Sequence, residues 1–181
     1  IAEQYLPAGP ESPVPASLAG AILSVADKAD TLAGCFGLDM APTGAADPYA
    51  LRRAALGICR IVIEHGLRLD LMELLQSAID GYGDVKFKVD RTRILAKLLD
   101  FFGQRLRAYF TGQGHDTLVV EAAVGASYTD IAALSARIDA LGAFAAKPDF
   151  GQAVLTFKRV ANIIRKQGVG AGQSLTGALR P

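Results

Sequence analysis

The chain has 181 residues, 51% of them apolar, with 19 Lys/Arg against 18 Asp/Glu and a net charge of +1. That length and apolar share support one or two small domains with real cores, while the near-zero total excludes inferring a polyanion partner from net charge alone. Every apolar run is cut by charge or glycine short of bilayer length, the longest being Ala16 to Ala26 before Asp27, and no leader pattern stands at the start; a soluble, cytoplasmic protein without a membrane partner is expected.

Helical periodicity dominates the chain, and an all-α fold is predicted. Pro13 and Pro15 precede a first helix that glycine stops at about Gly34 or Gly37. "LDMAPTGAADP" reads as a loop, with Asp47 as N-cap and Pro48 as first residue of a second helix that ends at His65 before Gly66. Leu51, Ala54, Ala55, Ile58, Ile61 and Val62 form its apolar stripe, which leaves Arg52, Arg53 and Arg60 on the other side. Further helices are predicted over 70–78, 90–110, 116–124, 129–146 and 150–167. Between the third and fourth, "VKFKV" alternates like a strand but has no partner, so it reads as a connector. It divides the chain into residues 1–81 and 82–167, and a Gly/Ser-rich stretch, 168–181, is expected to be a flexible tail.

The last helix places Phe150, Val154, Phe157, Val160, Ala161 and Ile164 on one face, with Lys158 and Arg165 on one flank and Arg159 and Lys166 on the other. Leu155 and Ile163 fall outside that face, which implies a second apolar contact supplied by another subunit or a further domain. Charge is unevenly spread: residues 84–110 carry seven Lys/Arg against three Asp, and residues 150–181 carry five and no acid. Such a basic half suits a polyanion partner or a solvated helix surface.

Three motifs invite an enzymatic reading. His65, the His115–Asp116 doublet and Asp139 follow the order of an HD-type metal site, yet "GQGHDTL" reads more simply as a turn with Asp116 capping a helix. "PTGAADP" has a glycine near a helix start but lacks the Gly-Lys-Ser/Thr ending of a phosphate loop, so a tight interhelix turn is the better reading. Cys35 and Cys59 show no metal spacing and are expected to be reduced, buried thiols.

"VADKADTLAGCFG", "PTGAADPYALRRAALGICRI" and "FKRVANIIRK", in this order, resemble the β subunit of the bacterial tetrameric glycyl-tRNA synthetase. The resemblance runs from "IAEQYLP" to about Lys166, and with Ile1 in place of a starting methionine it implies an internal or C-terminal-region fragment of a longer subunit. It further implies an α2β2 assembly in which the α subunit activates glycine with ATP and Mg, and the β subunit serves recognition and charging of tRNA-Gly. On that reading the fragment holds no catalytic residue, cofactor or metal of its own. The fold implied is the second half of an HD-like helical domain, with Asp27 as a relic of the HD pattern, followed by helices leading into a DALR-like anticodon-binding domain that "FKRVANIIRK" opens. Candidate tRNA contacts are Arg52, Arg53, Lys158, Arg159, Arg165 and Lys166. Two alternatives stay open: an HD-type metal-dependent phosphohydrolase, and a scaffold that binds only the α subunit.

Overall fold

The computed structural model describes residues 2–166, and these are all-helical: a 3₁₀ turn, Ala2–Tyr5, is followed by α1 (Leu18–Gly37), α2 (Leu51–His65), α3 (Leu71–Asp80), α4 (Arg91–Gly112), α5 (Thr117–Ala126), α6 (Ile131–Ala145) and α7 (Phe150–Lys166). The tail expected over 168–181 lies outside the described residues. The chain separates into two compact units, one up to Gly142 and one from Ala143 onward.

In the first unit α1 packs on α2, α3 and α4, and α4 also packs on α2, α3 and α5. Their apolar stripes meet in one core, where Leu32, Leu51, Ile58, Leu75, Leu98 and Phe102 are all fully buried. Helix starts are capped by side chains, among them Asp116 as its sequence context predicts. The Ser17 hydroxyl accepts from Gly20 N at 3.0 Å, while Asp70, Asp90 and Asp116 each accept from two backbone amides of the turn they open. Glu3 braces the start of α1 from outside: its carboxylate takes the Ser17 hydroxyl and the Ala16 amide, and these bonds hold its pKa below the ordinary glutamate value.

The second helix begins three residues later than the Asp47–Pro48 pattern predicts. Ala50 adopts the left-handed conformation (φ 53°), so residues 47–50 close a turn, with Ala50 N donating to Asp47 O at 3.1 Å. Asp47 still satisfies the helix from outside it, accepting from Leu51 N at 2.8 Å and Arg52 N at 3.0 Å. Asp47→Ala is therefore expected to cost about 1 kcal/mol of unfolding free energy, read from urea denaturation; an unchanged midpoint would mean that water replaces the carboxylate without loss. The far end matches the expectation, with Gly66 in the left-handed conformation (φ 61°) closing α2.

"VKFKV" forms no strand. It crosses the end of α1 as a strap, with Lys88 N and Val89 N both donating to Gly37 O at 2.8 and 3.2 Å, and the ring of Phe87 lies where a side chain on residue 37 would stand. Only glycine permits that approach. Arg91, the first residue of α4, turns back to donate to the carbonyls of Ile79 and Gly83, so one cation covers the exposed C-terminal end of α3.

Cys59 is fully buried and its thiol is pushed up to about 12 by burial. Cys35, expected to be buried, is only half-buried, because it flanks rather than faces the α1 core stripe; burial raises its pKa as well, and both thiols are free. Among the described residues no helix is long and apolar enough to cross a membrane. In the second unit Phe144 and Phe150 meet edge to face at 5.3 Å, and α7 buries none of its residues. The apolar face predicted for that helix is thus left open by the described residues, with Phe157 68% and Val160 48% exposed.

Candidate nucleic-acid interface

The burial of Leu51, Ala55 and Ile58 fixes the rotation of α2, and positions 52, 53 and 56 consequently turn away from the core. On α4 the buried stripe Leu98, Phe102, Leu106 and Phe110 likewise turns residues 105, 108, 109 and 112 to one flank. These two flanks line a cleft of about 430 Å³ together with Pro10 and Gln113. It contains Arg52, Arg53 and Arg105 and, among the described residues, no carboxylate.

Each arginine is held differently. Arg52 is pre-oriented by the loop before its helix, donating through Nη2 to Gly44 O at 2.6 Å and through Nη1 to Ala46 O at 3.4 Å. The glycine of "PTGAADP" (φ 52°) thus shapes a turn that aims an arginine, in keeping with the interhelix-turn reading. Arg53 is exposed and has no hydrogen-bond or ion-pair partner among the described residues. Arg105 lies over the ring of Phe101, 5.4 Å from its centroid, and its Nε–H is buried without a hydrogen-bond partner among the described residues. The rest of the half-buried side chain lines the cleft. Arg52 and Arg105 also line a neighbouring cleft of about 280 Å³, where Lys97 stands; its ammonium is engaged by Asp39 at 2.8 Å.

Three of the seven cations over residues 84–110 are engaged elsewhere. Arg91 covers the end of α3, Lys97 pairs with Asp39, and Arg107 joins α4 to α5 through Glu121 at 2.8 Å. Arg60, on the polar side of α2, is likewise structural: its Nη1 donates to the carbonyls of Pro10 and Ser12 at 2.8 Å, tying down the N-terminal segment. Arg105 and Tyr109 were not among the candidates read from sequence. Their spacing, i and i+4 on the flank of a buried stripe, is the signal that could have singled them out.

The remaining candidates are placed as follows. Lys158, Arg159, Arg165 and Lys166 lie exposed on α7 in the second unit, where Arg165 Nη2 donates to Asn162 Oδ1 at 2.6 Å. Asp27 accepts from Gln4 Nε2 at 2.8 Å. Of the HD-ordered residues, His115 and Asp139 meet, Nε2 to Oδ1 at 3.9 Å, whereas His65 Nε2 lies 2.7 Å from Pro15 O and Asp116 caps α5. The described residues bring no three His, Cys, Asp or Glu side chains together in a metal-holding group.

What the α2–α4 cleft offers is a set of planar, permanently charged donors, the chemistry suited to phosphate oxygens. A family model described as "Glycyl-tRNA synthetase beta subunit" matches residues 1–125. The chain belongs to the glycyl-tRNA synthetase β-subunit family. It is 88% identical over 180 residues to the glycine–tRNA ligase β subunit of Solidesulfovibrio magneticus, covering 99% of this chain and 26% of that relative. To the β subunits of Nitratidesulfovibrio vulgaris (strain DSM 19637 / Miyazaki F) and Lawsonia intracellularis it is 60% and 48% identical, over 98% and 100% of this chain and again 26% of each relative. The chain thus spans about a quarter of the length of the curated relatives it matches. The β-subunit family match contains all of α2 and α4, hence the whole arginine cleft, while α7 lies beyond it.

Proposed function

We propose that this chain is a non-catalytic part of a glycine–tRNA ligase β subunit and that it helps recognise tRNA-Gly by gripping the sugar-phosphate backbone in the α2–α4 cleft. One observation carries the reading: Arg52, Arg53 and Arg105 converge on a cleft that, among the described residues, no carboxylate lines. Three arginines converging there act as phosphate-positioning groups, which fix register and carry no sequence information. Lys158, Arg159, Arg165 and Lys166 supply a second basic set on α7. ATP, Mg and glycine activation belong to the α subunit of an α2β2 assembly in the cytoplasm, and the fragment works as the HD-like and anticodon-side portion of the β subunit.

The test is the complete ligase carrying Arg105→Gln, titrated with fluorescently labelled tRNA-Gly at several salt concentrations. Removal of one arginine–phosphate interaction should flatten the slope of log K against log salt by about 0.7 to 0.9. Affinity should fall several-fold at low salt, whereas ATP–pyrophosphate exchange with glycine should be unchanged. A wild-type slope and wild-type affinity would remove the cleft from the RNA path. The same titration on Lys158→Glu/Arg165→Glu reports the α7 set. A second reading, a docking surface for the α subunit, is favoured on α7 by its open apolar face.

A further inference from the structure

Arg53 lines a second cleft on its other side, of about 340 Å³, between the start of α2, the middle of α1 and the N-terminal 3₁₀ turn. Two exposed tyrosines line that cleft, Tyr5 at 68% and Tyr49 at 50% exposure. Large aromatic rings left open beside a cationic groove are the elements of a stacking platform for bases.

Both rings are carried on backbone that is already fixed. Tyr5 closes the 3₁₀ turn whose Gln4 carbonyl accepts from Lys28 Nζ at 3.2 Å and whose Glu3 is bound to Ser17. Tyr49 belongs to the turn that Asp47 O closes on Ala50 N ahead of α2. Asp27 is the acidic residue of this cleft, with Oδ1 held by Gln4 Nε2, while the buried Lys28 ammonium is turned inward to Gln4 O, Leu6 O and Ser24 Oγ. The exposed cation of the cleft is therefore Arg53, on the side shared with the arginine cleft, and the rim is aromatic.

We infer that the two clefts sharing Arg53 hold successive parts of one unpaired stretch of RNA, with phosphates in the arginine cleft and a base stacked against Tyr49 and Tyr5. The inference rests on the RNA-binding reading above and narrows it from backbone in general to a single strand. A base inside a duplex has both faces covered by its neighbours and cannot present one to a tyrosine, whereas an unpaired base can. Arg53, lying between the clefts, would take the phosphate that joins the two halves.

The experiment uses the complete ligase and two labelled probes, an eight-nucleotide oligoadenylate and a twelve-base-pair RNA duplex, with binding read by anisotropy. Tyr49→Leu and Tyr5→Leu are each expected to weaken the single strand by about tenfold and to leave the duplex unchanged, while Tyr49→Phe and Tyr5→Phe retain wild-type binding because the stacking face survives. Arg105→Gln is expected to weaken both probes. If Arg105→Gln weakens both probes and the leucine variants change neither, the stacking site is refuted while the phosphate cleft stands. Equal losses on single strand and duplex in the leucine variants would also refute stacking. No effect from any of the five variants would overturn both readings.

Discussion

Phe102→Ala is expected to remove about 3–5 kcal/mol of unfolding free energy, a large fraction of what a domain of this size holds in reserve. Phe102 is fully buried and lies on α4, the helix that packs on α1, α2 and α3 alike. The walls of the void left by the ring belong to separate helices held by other contacts, such as the edge-to-face pair of Phe36 and Phe101 at 5.2 Å and the Lys97–Asp39 ion pair. They cannot all close on it, so the cavity cost adds to the lost transfer energy. Urea unfolding followed by circular dichroism measures the difference. A loss below about 1.5 kcal/mol would contradict a single core shared by these four helices.

Lys28→Ala should be nearly as damaging, by about 2–4 kcal/mol, for a different reason. Lys28 is only 8% exposed, and its ammonium donates to Ser24 Oγ at 2.7 Å, Leu6 O at 3.0 Å and Gln4 O at 3.2 Å. Its stem runs against Gly57 of α2, where a Cβ would stand 3.0 Å from the lysine Cε. Truncation leaves a void and takes a donor from three oxygens, of which Leu6 O keeps the Ser24 hydroxyl, and the N-terminal segment loses one of its ties to α1. Lys28→Met keeps much of the stem and isolates the polar part of that loss.

The same lysine gives a pH signature. Desolvation by burial lowers its pKa below the ordinary lysine value of 10.5, and the nearby Asp27 carboxylate offsets this only in part. In the window between the lowered folded value and 10.5 the unfolded chain binds the proton more tightly than the folded one. Stability contributed by this group therefore rises with pH there, as the charged form need no longer be held out of water. Lys28→Met has no such increment, so the stability gap between wild type and Lys28→Met should widen as pH increases through that window. A gap that narrows would contradict a buried, desolvated ammonium.

Much of this architecture was legible in the residues. Helical periodicity located the helices, the stripe read on α2 matches its core face, with Leu51, Ala55, Ile58, Ile61 and Val62 buried, and the helices predicted from positions 70, 90 and 116 open on the capping carboxylates Asp70, Asp90 and Asp116. The start of α2 was misread because Pro48 after Asp47 suits a first turn equally well whether the helix begins at once or after a left-handed residue, and alanine carries no signal for that conformation. The arginine cleft was half legible. Arg52 and Arg53 followed from the polar side of one helix, whereas the i, i+4 pair Arg105 and Tyr109 marks a flank of α4 whose facing toward α2 is set by packing, and Arg107 two positions on goes to Glu121. For α7 the periodicity defined an apolar face, but a pattern cannot say whether anything covers it, and the described residues bury neither that face nor the positions outside it.

The strap at Gly37 bears on how the chain comes together in time. Its carbonyl receives two amides from residues 88 and 89, so this contact closes a ring that contains all of α2 and α3. Ring closure of that size is entropically expensive at the outset but insensitive to added length, since enlarging a ring of about fifty residues by ten adds only about 0.2 kcal/mol. The strap is then a late event, seated after α1, α2 and α3 have already brought its ends together, and the 38–50 loop ahead of α2 is a place where the chain can lengthen without loosening it.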